Sequence, residues 1–263
     1  MKIIPNIPGA VKLVYCLKFF NKYKKKIEDA KAAGDVVKER EYILAATSTW
    51  GPMVMDMFGS TVEVRGLENL PEEGPVVIVG NHQGYADIAA YFAAFRKFQF
   101  GFVAKKELAK IPLYGQWMPR IRSVFIERND PRASLDAIKR GVELIEQGFS
   151  LVIYPEGTRS KGPVCGPFMK GSQKLATKPG VPIVPVSMHG TYKMYEETGV
   201  LSAATIRIIV HEPIPTAGMS RQEEKGLNDR IEKLVTDGVR ALAIEAGDLP
   251  AEEETHTEAG TVG

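Results

Sequence analysis

The chain has 263 residues, 44% hydrophobic and 25% charged, with a formal net charge of +2. That is an ordinary globular balance, enough for one sizeable α/β domain and a small appendage. No global field dictates a nucleic-acid partner. Cys16 and Cys165 are the only cysteines and lie far apart, so no disulfide framework is expected, as in a reducing compartment.

Residues 8–32 read as a helix. Leu13, Cys16, Leu17, Phe20 and Tyr23 share one face at helical spacing, with Lys18, Lys22, Lys25 and Lys26 on the other. Val11, Val14 and Tyr15 break that pattern, so the first turns are apolar nearly all round. A second helix is expected over residues 36–58, rich in Met and Trp, with Gly51-Pro52 as a kink. Such a pair can cap a core. Apolar residues on several faces favour a hairpin lying on a membrane, with lysines towards anionic headgroups. No apolar run approaches the roughly 18 residues of a spanning helix, and no secretory signal is recognisable.

From Thr61 onward strands and helices alternate. Strands are predicted over residues 61–65, 75–79, 100–104, 123–127, 150–154, 182–188 and 205–211. Helices are predicted over residues 85–96, 131–147 and 171–178. Asp130 and Pro131 look like N-cap and first helical residue, and Ser220-x-x-Glu223 is a capping box for a last helix reaching about Ala246. The expected fold is α/β: a mostly parallel sheet flanked by helices, with an N-terminal two-helix membrane-docking hairpin. The boundaries are 1–58 for the hairpin, 59–247 for the α/β domain and 248–263 for an acidic tail expected to be disordered.

Gly80-Asn81-His82-Gln83-Gly84-Tyr85-Ala86-Asp87 occupies a strand-to-helix turn. On a continuous helix five residues would rotate His82 and Asp87 roughly 140° apart. They face each other only if His82 lies in the turn and Asp87 in the first helical turn. Asp87 then fixes the imidazole tautomer, and the other ring nitrogen is free to take a proton from a hydroxyl. A structural turn could carry the same pair, so further segments have to decide.

Leu151-Val152-Ile153-Tyr154-Pro155-Glu156-Gly157-Thr158-Arg159-Ser160 is another apolar run ending in a polar turn. Gly157 permits positive φ or close backbone approach, and Arg159 offers a planar fork for an anionic oxygen. A third strand ends in Arg128. The fourth segment, Val181-Pro182-Ile183-Val184-Pro185-Val186, carries two prolines, which argues for an edge or irregular strand. Ligands of parallel sheets bind beyond the strand C-termini. His82, Lys105, Arg128 and Glu156 to Arg159 all follow strand ends, so one edge of one sheet would collect them.

In this order the segments resemble the glycerolipid acyltransferase family over residues 64–214. The matching positions are Asn81, His82 and Asp87; Phe125, Ile126 and Arg128; Glu156, Gly157, Thr158, Arg159 and Ser160; and the run from Val181 to Val186. The segment from Phe102 to Leu108 with Pro112 and Gly115, and the turn Phe168-Met169-Lys170-Gly171, also look like the family. The glycine common at the start of the second block is Arg122 here, which would add a cation or narrow the pocket. Gly84 and Ala86 are small for the variable part of the first block.

The resemblance implies transfer of a fatty acyl chain from a thioester, acyl-CoA or acyl carrier protein, to the sn-2 hydroxyl of lysophosphatidic acid, giving phosphatidic acid. His82 would be the base and Asp87 its orienter. Lys105, Arg128 and Arg159 would hold the phosphate, Glu156 would orient Arg159 or the glycerol, and N–H groups near Gly157 would polarise the substrate. No cofactor, metal or nucleic acid is expected. The enzyme would sit on the cytoplasmic face of the cell membrane, peripheral or monotopic, at an anionic surface. An acyltransferase for glycerol 3-phosphate or another lysolipid is the alternative, and a lipid-binding membrane module the non-enzymatic one. No Gly-x-Ser-x-Gly elbow occurs, and His82, His189, His211 and His256 show no metal-ligand spacing. Nothing beside Cys165 marks it as a nucleophile.

Overall fold

The computed structural model describes residues 6–127 and 130–251. Helices α1 (Ile7–Phe19), α2 (Asn21–Ala32) and α3 (Val36–Phe58) precede strand β1 (Thr61–Arg65). Then follow β2 (Val77–Gly80), α4 (Asp87–Ala94), β3 (Phe100–Lys105), α5 (Tyr114–Arg120) and β4 (Val124–Ile126). The chain continues through α6 (Pro131–Glu146), β5 (Ser150–Ile153), α7 (Lys174–Thr177), β6 (Ile183–His189), β7 (Thr205–Val210) and α8 (Arg221–Glu245). The strand order is β1-β7-β6-β2-β5-β3-β4. Strands β2 to β6 run parallel, whereas β7 pairs antiparallel with β6 and parallel with β1. All seven predicted strands are present, and α5 is the helix that the sequence reading missed.

Both faces of the central strands are covered, so β2, β5 and β6 are buried at every position, whereas the edge strand β1 turns Thr61, Glu63 and Arg65 to solvent. Val76, Ile78, Phe100, Phe102 and Val152 pack with residues of α1, α3 and α4 such as Cys16, Trp50 and Phe92. Val77, Val79, Leu151 and Ile153 pack with Leu175 of α7 and with Leu227, Ile231 and Val235 of α8. Asp130 caps α6 by accepting from the N–H groups of Arg132 and Ala133, and Ser220 with Glu223 forms the capping box of α8.

The N-terminal hairpin takes a different form from the expected pair. The first long helix is broken at Phe20 into α1 and α2. α3 buries Ile43, Ala46, Trp50, Val54 and Met55, and is a layer of the core. It packs on α4 so closely that a Cβ on Gly51 would lie 2.5 Å from the backbone of Phe92 and Ala93. Trp50 stacks on Phe20, with ring centroids 5.1 Å apart. α1 has two apolar faces. Cys16, Leu17 and Phe20 are buried, while Ile7, Val11, Val14 and Tyr15 form an exposed stripe at spacings of four, seven and eight residues.

Two expectations about sheet residues are corrected. The run with two prolines leads into β6, which holds only Pro185 and is no edge strand, since it lies between β7 and β2; the irregularity also expected is there, as a break in its pairing with β7. Pro185 is tolerated because it falls between the β7 ladder, which starts at Val186↔Val210, and the isolated bridge Ile183↔Ile214. Its carbonyl accepts from the N–H of His211 at 3.0 Å. Arg122 adds no cation to the site, because it precedes β4 at the opposite edge of the sheet. Its guanidinium makes a two-point pair with Glu39 of α3, at 2.7 and 2.6 Å, and lies over the Phe149 ring. Arg122 has φ +61, the conformation that favours glycine there.

Candidate active site

The parallel strands β2, β3, β5 and β6 end at one edge, where Lys105 and His189 are the last residues of β3 and β6 and the turns after β2 and β5 carry His82 and Glu156. His82 lies in the turn after β2, and Asp87 is the first residue of α4. His82 Nδ1 is 2.5 Å from Asp87 Oδ2. With the ring proton on Nδ1 donated to the carboxylate, Nε2 keeps a free lone pair. The imidazole stacks flat on Tyr154, with centroids 4.3 Å apart and planes 9° from parallel. The ring is thus held at one end by a carboxylate and across its face by an aromatic, while 20% of the side chain stays exposed.

Asp87 is fully buried and satisfied by donors on both oxygens. Oδ2 also accepts from the Gln83 N–H at 2.9 Å; Oδ1 accepts from the Gly84 N–H at 3.1 Å and from the Thr191 hydroxyl at 2.5 Å. The residues after His82 therefore wrap around the carboxylate that orients it. Asn81 locks the start of the turn by pairing its amide with both backbone groups of Met188 on β6, at 2.8 Å each. Gln83 accepts from the Gly190 N–H and donates to the Gly162 carbonyl.

The Glu156 loop is stitched to this turn. The N–H groups of Ser160 and Lys161 donate to the carbonyls of His82 and Gln83, at 2.8 and 3.2 Å. Glu156 Oε1 accepts from the His82 backbone N–H at 2.6 Å and Oε2 from Gly166 at 2.7 Å. Glu156 thus braces the backbone of the base instead of orienting Arg159. Burial raises its pKa above the ordinary carboxylate value, with the N–H bonds from Gly166 and His82 pulling the other way. Gly157 has φ +69, as its residue type anticipates. Its N–H donates to the Tyr154 carbonyl at 3.1 Å, so it is not free to polarise a substrate.

Arg159 is held by a residue that the sequence reading missed. Its Nη1 is 2.6 Å from Oε1 of Glu196, whose side chain is only 3% exposed, and its guanidinium lies 3.6 Å above the Tyr85 ring. Glu196 Oε1 also accepts from the Tyr85 N–H at 2.9 Å. A Cβ on Gly84 would sit 2.6 Å from Glu196 Oε2, which explains the small residue in the first block. Thr158 is exposed, and Lys105 is exposed and paired with Glu107 at 3.2 Å. Arg128 lies outside the described residues, as does the tail from Glu252.

The remaining candidates resolve into structure. His189 is buried, with Nε2 2.7 Å from Asp248 Oδ2, and burial lowers its pKa. His211 pairs with the Ser187 hydroxyl at 2.8 Å. The Cys165 thiol is pushed up to about 12, by burial first and by Glu156 second, so it is no thiolate nucleophile. Among the described residues no group of His, Cys, Asp or Glu is arranged to hold a metal ion.

The sequence model of the family described as Acyltransferase matches residues 61–189, which hold the His82 turn and the Glu156 loop. Residues 61–189 of the chain are an acyltransferase domain, similar to those of glycerolipid acyltransferases. The chloroplast 1-acyl-sn-glycerol-3-phosphate acyltransferase of Brassica napus is 38% identical over 168 residues, 63% of this chain and 48% of that protein. The 1-acyl-sn-glycerol-3-phosphate acyltransferase of Borreliella burgdorferi is 29% identical over 187 residues, 71% of this chain and 74% of that one. The chain thus spans about half the length of the plant relative and most of the bacterial one. The crystal structure of the 1-acyl-sn-glycerophosphate (LPA) acyltransferase PlsC of Thermotoga maritima superimposes with a TM-score of 0.68 at 28% identity. That match covers 90% of this chain and 97% of that one.

Proposed function

We propose that this acyltransferase moves a fatty acyl chain from acyl-CoA or acyl carrier protein to the sn-2 hydroxyl of lysophosphatidic acid, giving phosphatidic acid. The observation that carries the reading is the 2.5 Å contact between His82 Nδ1 and Asp87 at the sheet edge that also presents Arg159. An oriented base beside a fixed cation suits an acceptor that bears both a hydroxyl and a phosphate. The relatives named above act, by their names, on 1-acylglycerol 3-phosphate, which supports the same acceptor.

In the reaction, His82 Nε2 takes the proton of the acceptor hydroxyl as its oxygen attacks the thioester carbonyl. The tetrahedral intermediate collapses, the carbon–sulfur bond breaks and the imidazolium returns the proton to the leaving thiolate. Asp87 stabilises the imidazolium between these steps. No acyl-enzyme forms, and no cofactor is required, because the donor is already an activated ester. Arg159, with Lys105 and Arg128, supplies positive charge for the acceptor phosphate.

We further propose peripheral binding at the cytoplasmic face of an anionic membrane. Among the described residues no helix is long and apolar enough to cross one. The exposed stripe of α1 supports docking, and α1 begins beside the site. Asn6 bonds the backbone of Gly199 and Leu201, in the segment that follows Glu196.

The test uses purified protein, labelled acyl-CoA and acyl carrier protein, and a panel of lysolipid acceptors including glycerol 3-phosphate. Preferred transfer to lysophosphatidic acid, with loss of roughly a hundredfold or more in His82→Ala, is expected. Near-wild-type turnover by folded His82→Ala removes the base assignment, and preference for another acceptor removes the substrate.

A further inference from the structure

One contact to the Asp87 carboxylate comes from outside every motif that the sequence displays. Thr191 opens the short turn after β6 and is fully buried. Its hydroxyl donates to Asp87 Oδ1 at 2.5 Å across a sequence separation of 104 residues. Resting on the reading of His82 as base, we propose that Thr191 is a positioning residue for Asp87, and through it for His82.

The turn is built to place this hydroxyl. Gly190 has φ +105, and a Cβ there would meet the Thr205 carbonyl at 2.4 Å, so only glycine fits. The Gly190 N–H is anchored on Gln83 Oε1 at 2.9 Å. The strand leading into the turn is gripped by Asn81. Two residues of the His82 turn therefore fix the position from which Thr191 reaches back to the same turn.

The division of labour on the carboxylate explains the effect. Gly84 and Thr191 occupy Oδ1, which leaves Oδ2 for Gln83 and the imidazole. Four donors fix the carboxylate plane and so the direction in which Asp87 meets the ring. Without the hydroxyl the carboxylate loses one of the four donors that fix its plane, and Asp87 meets the imidazole in a less defined direction.

The experiment measures kcat and acceptor KM of transfer for wild type, His82→Ala, Thr191→Val, Thr191→Ser and Thr191→Cys, each checked for folding by thermal melting. Thr191→Val is expected to lose roughly tenfold in kcat, the weight of one hydrogen bond to a charged group, with acceptor KM little changed. Thr191→Ser should restore kcat. Thr191→Cys, of similar size but a weak donor, should fall between them. Wild-type kcat in folded Thr191→Val overturns the inference. So does an equal loss in Thr191→Ser, which would mark a packing role. If Thr191→Val does not fold, wild-type turnover by Thr191→Cys overturns it instead. Transfer that survives in His82→Ala overturns the base reading and this inference together. A dead His82→Ala beside an unaffected Thr191→Val overturns this inference alone.

Discussion

Glu156 reaches His82 through the backbone: its Oε1 accepts from the His82 N–H at 2.6 Å, while the ring turns away to Asp87. The second oxygen accepts from Gly166, so one buried carboxylate joins the base to the far end of its own loop. Glu156→Gln preserves the shape but turns one acceptor into a donor that faces an N–H. Loss of one such bond from a buried site costs about 1–3 kcal/mol. A lower melting temperature and a kcat reduced roughly tenfold are expected, with acceptor KM nearly unchanged, because the backbone of the base has moved and not the phosphate site. Steady-state kinetics that instead raise acceptor KM alone would return Glu156 to a role in binding.

Arg159 and Glu196 make the opposite prediction. Glu196 holds the guanidinium at 2.6 Å and fixes its place over Tyr85. Arg159→Ala should raise acceptor KM by roughly tenfold or more, with donor KM little changed, since a phosphate loses a charge-assisted partner. Glu196→Ala leaves the cation but frees its position, so a smaller rise is expected. In the double variant the two losses should not add, because they act through one group. Strict additivity of the two effects on acceptor KM would show that Glu196 does not work through Arg159.

How much of this site the sequence displays depends on how local each relationship is. His82 and Asp87 lie five residues apart at a strand-to-helix turn, so their meeting is legible. So is the gathering of turns at one sheet edge, which follows from strand alternation alone. Thr191 and Glu196 lie 104 and 37 residues from their partners, on a turn with no periodic signal, and only the folded chain brings them in. Glu156 carries the residue type of a ligand-facing group, and composition cannot say that its partners are backbone N–H groups. Likewise Arg122 reads as a cation beside a motif, but its partner Glu39 comes from a helix 83 residues earlier.

That Arg122–Glu39 pair is structural and remote from the chemistry. Glu39 is 1% exposed, and removing one partner of a buried pair costs about 3–5 kcal/mol. Arg122→Gly relieves the positive φ yet leaves Glu39 unpaired, so a net loss of about 2–4 kcal/mol is expected, with kcat of the remaining folded enzyme unchanged. Arg122→Gly combined with Glu39→Leu should recover most of the stability. Chemical denaturation of the three proteins checks this, and a kcat loss in folded Arg122→Gly would place Arg122 back in the site.

Stability should also fall in mild acid. His189 and His211 have pKa values below the ordinary 6.5, in both cases because burial disfavours the imidazolium; for His189 the Asp248 carboxylate opposes this and is outweighed. Between the folded value and 6.5 the unfolded chain binds more protons, so stability is complete above 6.5 and declines as pH drops. The raised pKa of Glu156 has the opposite sign. Its contribution is present below the ordinary 4.5 and is lost as pH rises through the folded value. A melting temperature flat near neutrality and falling towards about pH 5.5 is expected, with a shallower fall in His211→Gln. A melting temperature that rose over that interval would contradict the histidine assignment.

The last prediction concerns α1, and the burial of α3 decides how it must be tested. Deleting residues 1–58 would strip Trp50, Val54 and Met55 from the core, so loss of vesicle binding in such a protein would say nothing about docking. The exposed stripe can instead be altered alone. Val11 and Tyr15 are 65% and 64% exposed, so Val11→Asp with Tyr15→Asp should leave the melting temperature almost unchanged. Each exposed lysine near an anionic surface contributes on the order of 1 kcal/mol, and Lys18, Lys22, Lys24, Lys25 and Lys26 lie along α1 and α2. Wild-type protein should therefore sediment with anionic vesicles at low salt and be released by high salt. The double aspartate variant should lose most of that binding. It should also lose transfer on bilayer substrate while keeping transfer to a monomeric short-chain acceptor, since the catalytic edge is untouched. Undiminished sedimentation of the variant would show that the stripe on α1 is not the docking face.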